Sequence, residues 1–468
     1  MKGTNDLPVI SVSGVRGIYG TSLTTDFIYN LLNAFILVMQ GERKSNLICV
    51  GRDGRSSGAT IASSVNSMLA FYGFNVAYAG ITSTPTLAFI TKELNADAGI
   101  MITASHNPPH WNGFKFYDRN GIIFSNELMQ RIKACLTGRK IGSGGVMPAV
   151  KTDIIPDPHH MHIKKILSSG YVCREFKWLK EKRLLVDGIN SGGSFLVPAL
   201  LNSLGLKNYS VINTEIGKFA RDPEPVAKNL SHVCELMRSG EFFLGIVVDP
   251  DVDRVVFIDE KGQIANEELT IVLVLDYLFS RFSDIPEVAV INKSTTSLVE
   301  EISNKYGFSV VRVPVGEYNI IRGMMSENAF IGGEGSGGVI FSPIHYSRDA
   351  LTTIALVLSM IELRQEPLSK IISGFPHYNM VKIKIPDKDG SSFKNILQNI
   401  KDTYPLQEMR IDEEDGLWLK DVEELWWLHI RPSNTEPVIR IIYEWKGEYI
   451  PSRLKTLLSK LSSVTGKS

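Results

Sequence analysis

Apolar runs and polar loops alternate regularly along the first three quarters of the chain. One order of segments occurs three times: an apolar strand, a polar loop, an amphipathic helix ending near a glycine, and a second strand. The first strands of these units lie at residues 47–50, 184–186 and 288–291. This order is typical of βαβ units, in which parallel strands are joined through a helix. The pattern therefore predicts three similar mixed α/β domains.

The pattern changes after Pro376. A strand and a helix are followed by three strands and a final helix, at residues 380–385, 393–404, 416–420, 425–430, 438–445 and 452–464. This order predicts a fourth domain, of the α+β class. Four domains also suit the length, because 468 residues are too many for one hydrophobic core. We expect the domains to span residues 1–152, 153–262, 263–374 and 375–468.

A polar loop lies between two predicted strands near residue 105. The strands cover residues 98–102 and 114–117, and the loop between them contains Ser105 beside His106. Two prolines restrict the loop to an extended course. Adjacent side chains on an extended segment point to opposite faces, so His106 is not expected to activate Ser105. A simple polar turn is the alternative interpretation.

A second loop carries three alternate carboxylates. Asp249, Asp251 and Asp253 follow one apolar strand, and Arg254 leads into the next. Three carboxylates in a tight turn repel each other unless a cation lies among them, and Mg²⁺ suits an all-oxygen site. A calcium-binding EF-hand is excluded, because Arg254 stands where that loop needs glycine and strands replace its helices. A solvated acidic turn with Arg254 as counter-ion remains the alternative.

Two further loops have the composition of ligand sites. Glu334 and Ser336 lie two residues apart in a glycine-rich segment, so their side chains face one side and suit sugar hydroxyls. The later loop offers a guanidinium, hydroxyls and an amide for a phosphate, and its candidate residues are Arg431, Ser433, Asn434 and Thr435. Glycine-rich and proline-rich turns without a ligand remain the alternatives.

Overall composition excludes several classes of protein. Basic and acidic residues balance at 50 each, so nothing favours nucleic acid or an anionic membrane as partner. No apolar segment approaches the roughly 20 residues of a membrane span, and the N-terminus lacks a signal-peptide pattern. The four cysteines are widely spaced, which indicates neither a zinc site nor a disulfide framework. We expect a cytoplasmic protein.

Together these motifs resemble the α-D-phosphohexomutase superfamily. The resemblance covers nearly the whole chain, and its motifs lie at residues 14–17, 103–108, 249–254, 333–338 and 431–437. It implies a four-domain architecture with a C-terminal domain similar to TATA-binding protein. It also implies a magnesium-dependent intramolecular phosphotransferase of carbohydrate metabolism. Such an isomerase interconverts hexose 6-phosphate and hexose 1-phosphate through a phosphoserine, with hexose 1,6-bisphosphate as activator and intermediate.

The resemblance also implies a role for each motif residue. Ser105 resembles the serine that is phosphorylated, and together with Asp249, Asp251 and Asp253 it resembles the Mg²⁺ ligands. The groups that transfer protons or stabilise charge correspond to Arg16, His106, Lys115 and Arg254, with Lys115 the first choice as general acid and base. Glu334 and Ser336 resemble the residues that bind sugar hydroxyls. The residues that hold the substrate phosphate correspond to Arg431, Ser433, Asn434 and Thr435.

The sequence departs from the family at one position. Many members have histidine after the sugar loop, where this chain has Gly338, and His106, His110 or His345 are the candidate replacements. The sugar loop, residues 347–350 and residues 222–225 look more like the phosphoglucosamine mutases of archaea and some bacteria than like the common bacterial form. Phosphomannomutase or phosphoglucomutase is the alternative substrate class, and a magnesium-dependent sugar phosphatase is the alternative activity. We expect a monomer or a homodimer.

Overall fold

The computed structural model describes residues 7–136, 150–387, 391–403, 409–433 and 438–465. Within these ranges the chain forms four sheets, three mixed and one antiparallel. The predicted four-domain architecture is confirmed. None of the helices in the described ranges combines the length and apolar character needed to cross a bilayer.

Among its described residues, the first domain contains seven strands and four helices. The strands are β1 (Val9–Ser11), β2 (Gly14–Ile18), β3 (Leu47–Arg52), β4 (Asn75–Ile81), β5 (Ala98–Ile102), β6 (Trp111–Asp118) and β7 (Thr152–Ile154). The helices are α1 (Thr25–Gln40), α2 (Gly58–Phe71), α3 (Thr84–Glu93) and α4 (Asn126–Leu136). The strand order is β1-β2-β6-β5-β3-β4-β7. Strands β5 and β6 are antiparallel neighbours, so the serine loop joins their adjacent ends.

The second domain is built on a five-stranded sheet. Its strands are β8 (Leu184–Asp187), β9 (Tyr209–Ile212), β10 (Leu244–Val248), β11 (Val255–Ile258) and β12 (Ile264–Ala265), in the order β12-β11-β10-β8-β9. Its helices are α5 (Pro158–Leu167), α6 (Gly193–Ser203) and α7 (Ser231–Arg238). The acidic loop is the tight turn between β10 and β11, which pair antiparallel.

The third domain has four strands and five helices. The strands are β13 (Val288–Asn292), β14 (Ser309–Val313), β15 (Ile331–Glu334) and β16 (Gly338–Phe341), in the order β14-β13-β15-β16. The helices are α8 (Leu269–Arg281), α9 (Leu298–Lys305), α10 (Glu317–Ser326), α11 (Ala350–Arg364) and α12 (Leu368–Ser373). The sugar loop is the turn between β15 and β16.

The fourth domain is a five-stranded antiparallel sheet with two helices. The strands are β17 (Tyr378–Pro386), β18 (Arg410–Asp412), β19 (Leu417–Asp421), β20 (Trp426–Pro432) and β21 (Val438–Lys446), in the order β17-β21-β20-β19-β18. The helices are α13 (Ser391–Thr403) and α14 (Ser452–Thr465). The sequence pattern predicted all of these elements except β18, which is only three residues long.

The three predicted βαβ units have the expected parallel strands. Strand β3 pairs with β4, β8 with β9 and β13 with β14, each in parallel. The domain boundaries themselves stay a prediction. Strand β7 crosses the first of them, because Thr152, Asp153 and Ile154 pair with β4 of the first sheet.

Hydrophobic cores join the first three domains, and Tyr378 of the fourth domain packs against one of them. One cluster contains side chains from both the second and the third domain, and another joins the first domain to the third. The fourth domain has a core of its own. It contacts the third domain through ion pairs, including Lys446 with Glu301 at 2.8 Å and Lys293 with Glu414 at 3.1 Å.

A buried polar cluster lies where the first three domains meet. Asp349, before α11, has its Oδ2 atom 3.1 Å from Nε2 of His162 and 3.3 Å from Nε2 of His345. The other ring nitrogen of His162 lies 3.0 Å from the hydroxyl of Thr86 on α3. The cluster therefore contributes polar contacts between domains inside a largely apolar interface.

Candidate active site

The motif loops surround one cavity of about 570 Å³ between the domains. Strand β2 contributes Arg16, and the serine loop and β6 contribute His106 and Lys115. The remaining predicted residues that line the cavity are Arg254, Glu334, Ser336, Arg431 and Ser433. The predicted phosphate ligands Asn434 and Thr435 lie outside the described residues.

The serine loop has a conformation that its sequence did not predict. Ser105 adopts a φ of +52°, in the left-handed region, and its residue is fully buried. The loop is therefore not extended at this point, and the expectation that Ser105 and His106 point apart is wrong. Oγ of Ser105 lies 3.4 Å from Nδ1 of His106, which is a long hydrogen-bond contact between the two side chains.

Arg55 holds the serine loop from behind. Its guanidinium donates hydrogen bonds of 2.6–3.0 Å to four backbone carbonyls, those of Ser105, Asn107, Pro108 and Trp111. It also pairs with Asp53 at 3.0 Å. Asp53 accepts a bond of 2.7 Å from Thr103, whose hydroxyl oxygen in turn accepts the N–H of Ser105. One buried arginine thus fixes most of the loop backbone.

The surroundings of the serine favour a neutral histidine. Burial, and then the cations Arg254 and Arg16, hold the pKa of His106 well below its usual range. A neutral imidazole can accept a proton, whereas an imidazolium cannot. Burial also lowers the pKa of Arg16 to about 10, so this guanidinium remains charged at neutral pH. It donates to the side-chain oxygen of Asn107 at 3.1 Å.

The three aspartates of the acidic loop have the geometry of a cation site. They are fully buried, and ligand atoms from all three lie within 4.8 Å of one another. One carboxylate oxygen of each residue, Oδ2 of Asp249, Oδ1 of Asp251 and Oδ1 of Asp253, has no hydrogen-bond partner. Arg254 approaches the last of these only to 3.7 Å. Three converging oxygens without donors fit a hard divalent cation.

The second oxygen of each aspartate is held by the protein. Asp249 accepts from the backbone N–H groups of Asp253 and Arg254, at 3.1 and 3.2 Å. Lys115 donates to Asp251 at 2.7 Å and to Asp253 at 2.8 Å, and Thr84 from α3 also donates to Asp251. Lys115 lies on β6, directly after the serine loop. These contacts bring the serine loop and the acidic loop together.

The aspartates differ in their tendency to ionise. Burial, together with Asp253 and Asp251, raises the pKa of Asp249 well above its usual range. Burial alone would also raise the pKa of Asp253, but Arg348, Lys115 and Arg254 hold it below the usual value. Burial opposes the charge on Lys115, yet Asp251 and Asp253 raise its pKa, so it is a cation. A cation bound among the three would favour the ionised form of Asp249.

The sugar loop carries its carboxylate in the predicted position. Glu334 ends β15, and Ser336 donates to it at 3.3 Å, as the spacing of two residues suggests. Arg348 donates to the same carboxylate oxygen at 2.7 Å. Burial opposes ionisation, but Arg348 lowers the pKa of Glu334 overall. Glu334 is therefore an anion at neutral pH and can accept hydrogen bonds from hydroxyls.

The described part of the phosphate loop contributes basic side chains. Arg431 is buried and lines the cavity at the end of β20. Arg440 on β21 donates to the hydroxyl oxygen of Ser433 at 3.3 Å and also lines the cavity. Burial lowers the pKa of Arg431, with Arg440 adding to the effect. Two guanidiniums close together favour an anion between them.

Four domains of this architecture, arranged around a cavity beside an acidic loop, define a class of multidomain enzymes. Comparison with family models identifies that class. Models of phosphoglucomutase/phosphomannomutase match all four domains: the α/β/α domains I, II and III at residues 9–140, 160–262 and 266–378, and the C-terminal domain at residues 380–455. The chain belongs to the phosphoglucomutase/phosphomannomutase family, within the α-D-phosphohexomutase superfamily. The predicted membership is confirmed.

Relatives of similar length support the same membership. A phosphoglucomutase/phosphomannomutase of Thermococcus kodakarensis is 33% identical over 93% of this chain and 94% of its own. A phosphoglucosamine/phosphogalactosamine mutase of Sulfurisphaera tokodaii is 30% identical over 98% of this chain and 99% of its own. A family protein from Burkholderia thailandensis shares the fold, with a TM-score of 0.82 at 21% identity over 97% and 96% of the two chains.

Sequence reasoning missed three residues that the structure places at the site. Arg55 and Thr84 hold the serine loop and the acidic loop, and Arg348 joins the acidic loop to the sugar loop. Arg55 follows a strand in the first βαβ unit, where polar side chains commonly reach a site at the carboxyl edge of a sheet. Its position directly after a strand could therefore have marked Arg55 as a candidate site residue. Thr84 lies in a helix and has no comparable signal, and Arg348 was marked only as part of the family-like segment at residues 347–350.

Proposed function

We propose that this protein is a magnesium-dependent hexose-phosphate mutase in which Ser105 carries the transferred phosphoryl group. The observation that carries the proposal is the meeting of the serine loop with the acidic loop at one cavity. Three aspartate oxygens of the acidic loop have no donor, and the sugar and phosphate loops form other parts of the cavity wall. Asp249, Asp251 and Asp253 would hold Mg²⁺, with the phosphate on Ser105 as a further ligand. The bound ion would neutralise phosphate oxygens.

The protein's own groups then serve the transfer. A sugar hydroxyl oxygen forms a bond to the phosphorus while the bond between phosphorus and Oγ of Ser105 breaks, leaving its electron pair on Oγ. The hydroxyl loses a proton and Oγ gains one. Neutral His106 suits the acceptor and cationic Lys115 suits the donor. Arg16 and Arg254 supply fixed positive charge for the phosphoryl oxygens.

A mutase must bind its bisphosphorylated intermediate in two orientations. In the first half-reaction one phosphate is held by the phosphate loop while the other end accepts the phosphoryl group. After the intermediate turns around, the original phosphate faces Ser105 and returns its phosphoryl group to the enzyme. Arg431, Ser433, Asn434 and Thr435 are the proposed ligands of the resident phosphate. Glu334 and Ser336 are proposed to bind sugar hydroxyls in both orientations.

Glucosamine phosphate is the proposed substrate. The Sulfurisphaera tokodaii relative that covers nearly the whole chain is named for amino sugars, although the Thermococcus kodakarensis relative is named for glucose and mannose phosphates. The cavity wall also offers a half-buried carboxylate at Glu224. A carboxylate there suits the ammonium group of an amino sugar better than a neutral hydroxyl. We propose that Glu224 contributes to this preference.

A substrate panel tests the proposal. The 6-phosphates of glucosamine, N-acetylglucosamine, glucose and mannose are compared by kcat/KM, with Mg²⁺ and a trace of the matching 1,6-bisphosphate. We expect the 1-phosphate of glucosamine to form fastest, and Ser105→Ala to be nearly inactive. Release of inorganic phosphate faster than isomerisation would contradict the mutase and indicate a phosphatase. Light scattering of the same sample tests whether the protein is a monomer or a homodimer.

A further inference from the structure

Residue 338 is a glycine whose neighbours leave no room for a side chain. Its φ is not positive, so the backbone conformation alone does not require glycine. A Cβ atom at this position would lie only 2.5 Å from Cδ and 3.1 Å from Cγ of Arg348, far inside van der Waals contact. The aliphatic part of Arg348 therefore fills the volume that a side chain at residue 338 would need.

Backbone hydrogen bonds hold the segment of Arg348 beside the strand that begins at Gly338. Arg348 forms an antiparallel bridge with Ile340, and the N–H of Asp349 donates to the carbonyl of Val339 at 2.9 Å. The segment thus runs beside β16. Glu317, at the start of α10, accepts from the N–H of Arg348 at 3.2 Å, so the position is held from a second direction.

The guanidinium of Arg348 joins two of the loops around the cavity. One nitrogen lies 2.7 Å from Glu334 of the sugar loop, and the other lies 2.8 Å from Asp253 of the acidic loop. The second nitrogen also lies 3.3 Å from Glu317. Arg348 is only 6% exposed, so these ion pairs are shielded from water. A planar guanidinium can hold two carboxylates at once, whereas a lysine ammonium acts as a single point charge.

We propose that Arg348 fills the place beside the sugar loop that a side chain at residue 338 would occupy, and is a positioning residue. It holds Glu334 toward the sugar hydroxyls and ties the sugar loop to Asp253. This inference rests on the proposed function. The three atoms nearest to a Cβ at Gly338 all belong to Arg348, rather than to His106, His110 or His345. An arginine stays protonated, so it supplies a fixed cation rather than a proton carrier.

Variants at residues 338 and 348 test whether the two side chains compete for the same volume. Activity on glucosamine 6-phosphate is measured for wild type, Gly338→His, Arg348→Ala and the double variant. We expect Gly338→His alone to lower kcat/KM by about 100-fold, because the imidazole displaces a buried, paired arginine. Removing the arginine makes room, so the double variant should recover at least about tenfold over Gly338→His. A double variant no more active than Gly338→His overturns the proposal.

A matched control uses another arginine of the same domain. Arg364, at the end of α11, also pairs with a buried carboxylate, that of Asp276, but does not line the cavity. Arg364→Ala combined with Gly338→His should give no recovery. Recovery there would mean that a general loosening of the domain relieves the clash, and would also count against a space shared by residues 338 and 348.

The second test separates positioning from a purely structural role. In Arg348→Lys the single ammonium group can keep its contact with Asp253 but leaves Glu334 with only the longer contact to Ser336. We expect the KM for the sugar phosphate to rise about tenfold while kcat stays within about threefold, because Glu334 binds the sugar before and during transfer. Arg364→Lys should change neither constant. A fall in kcat with unchanged KM overturns the proposed route through Glu334. If Arg348→Ala does not fold, Arg348→Lys alone tests the positioning role of Arg348.

Calorimetry measures substrate binding separately from turnover, so it tests the role of Arg348 independently of the proposed function. The dissociation constant of glucosamine 6-phosphate is measured for wild type and Arg348→Lys, with circular dichroism as the check of folding. Binding by wild type without turnover would contradict the mutase, yet a tenfold weaker affinity of Arg348→Lys would still support the role of Arg348. Normal turnover by wild type with equal affinities for both proteins would overturn the role of Arg348 alone.

Discussion

Arg55 offers the sharpest test of how the serine loop is held. Arg55→Met keeps the length of the side chain but removes every donor to the four loop carbonyls. It also leaves Asp53, which is fully buried, without its cation. Breaking a buried ion pair by removing one partner costs about 3–5 kcal/mol. Thr103 and the N–H of residue 55 still donate to Asp53, so we expect the lower end, about 3 kcal/mol.

Hydrogen exchange of the loop measures this cost locally. A loss of about 3 kcal/mol in the free energy of local opening corresponds to roughly 100-fold faster exchange. We expect this acceleration in peptides that cover residues 103–112, and little change in helix α8 of the third domain. The kcat of phosphoryl transfer should fall as well, because Ser105 loses the support of its left-handed backbone conformation.

Arg52→Met is the matched control for Arg55→Met. Arg52 ends β3, just before the segment that carries Arg55, and its side chain donates to the hydroxyl of Tyr78 at 3.3 Å and to the carbonyl of Asp53 at 3.1 Å rather than to a carbonyl of the serine loop. Exchange over residues 103–112 should stay close to wild type in this variant. Equal acceleration in both variants, or none in Arg55→Met, would refute the assignment of Arg55 as the support of the loop.

Three further predictions follow from the site and its surroundings. Asp251→Asn should raise the dissociation constant for Mg²⁺ at least about tenfold, measured by the Mg²⁺-dependent rise in Tm, while exposed Asp284→Asn leaves it unchanged. Burial lowers the pKa of His345 near His162, Asp349 and Glu317, so stability should fall as the pH falls below about 6.5. Tm should therefore drop less between pH 7.5 and 5 in His345→Gln than in wild type or exposed His160→Gln, and equal drops would contradict this. Glu224→Gln should lower kcat/KM about five- to tenfold for glucosamine 6-phosphate but not for glucose 6-phosphate.

Local patterns were sufficient to predict most of the elements that position the site. The strands around the serine and acidic loops are short apolar runs bounded by glycine, proline and charge, and the structure has strands at these places. Strands β15 and β16 beside the sugar loop were not predicted, because their glycines interrupt the apolar pattern. The spacing of Glu334 and Ser336 also predicted that their side chains face one side, and in the structure Ser336 donates to Glu334. Such features depend on residues close in sequence, so a sequence pattern can identify them.

Long-range support could not be predicted in the same way. Arg55 binds backbone carbonyls about 50 residues away, and a carbonyl is present at every residue, so no sequence pattern marks the partner. The left-handed backbone of Ser105 is likewise maintained by those contacts rather than by its neighbours. Arg348 was visible only as part of a family motif. Its ion pair with Asp253 arises from how the second and third domains pack, whereas Glu334 is a partner within its own domain.

Phosphorylation of Ser105 by a sugar bisphosphate is the most direct test of the central claim. The protein is treated with glucosamine 1,6-bisphosphate and Mg²⁺, and the peptide that contains Ser105 is analysed by mass spectrometry. We predict that it gains the mass of one phosphoryl group, and that added glucosamine 6-phosphate removes this group as bisphosphate forms. Isomerisation at a normal rate with no phosphoryl group on Ser105 would contradict the account.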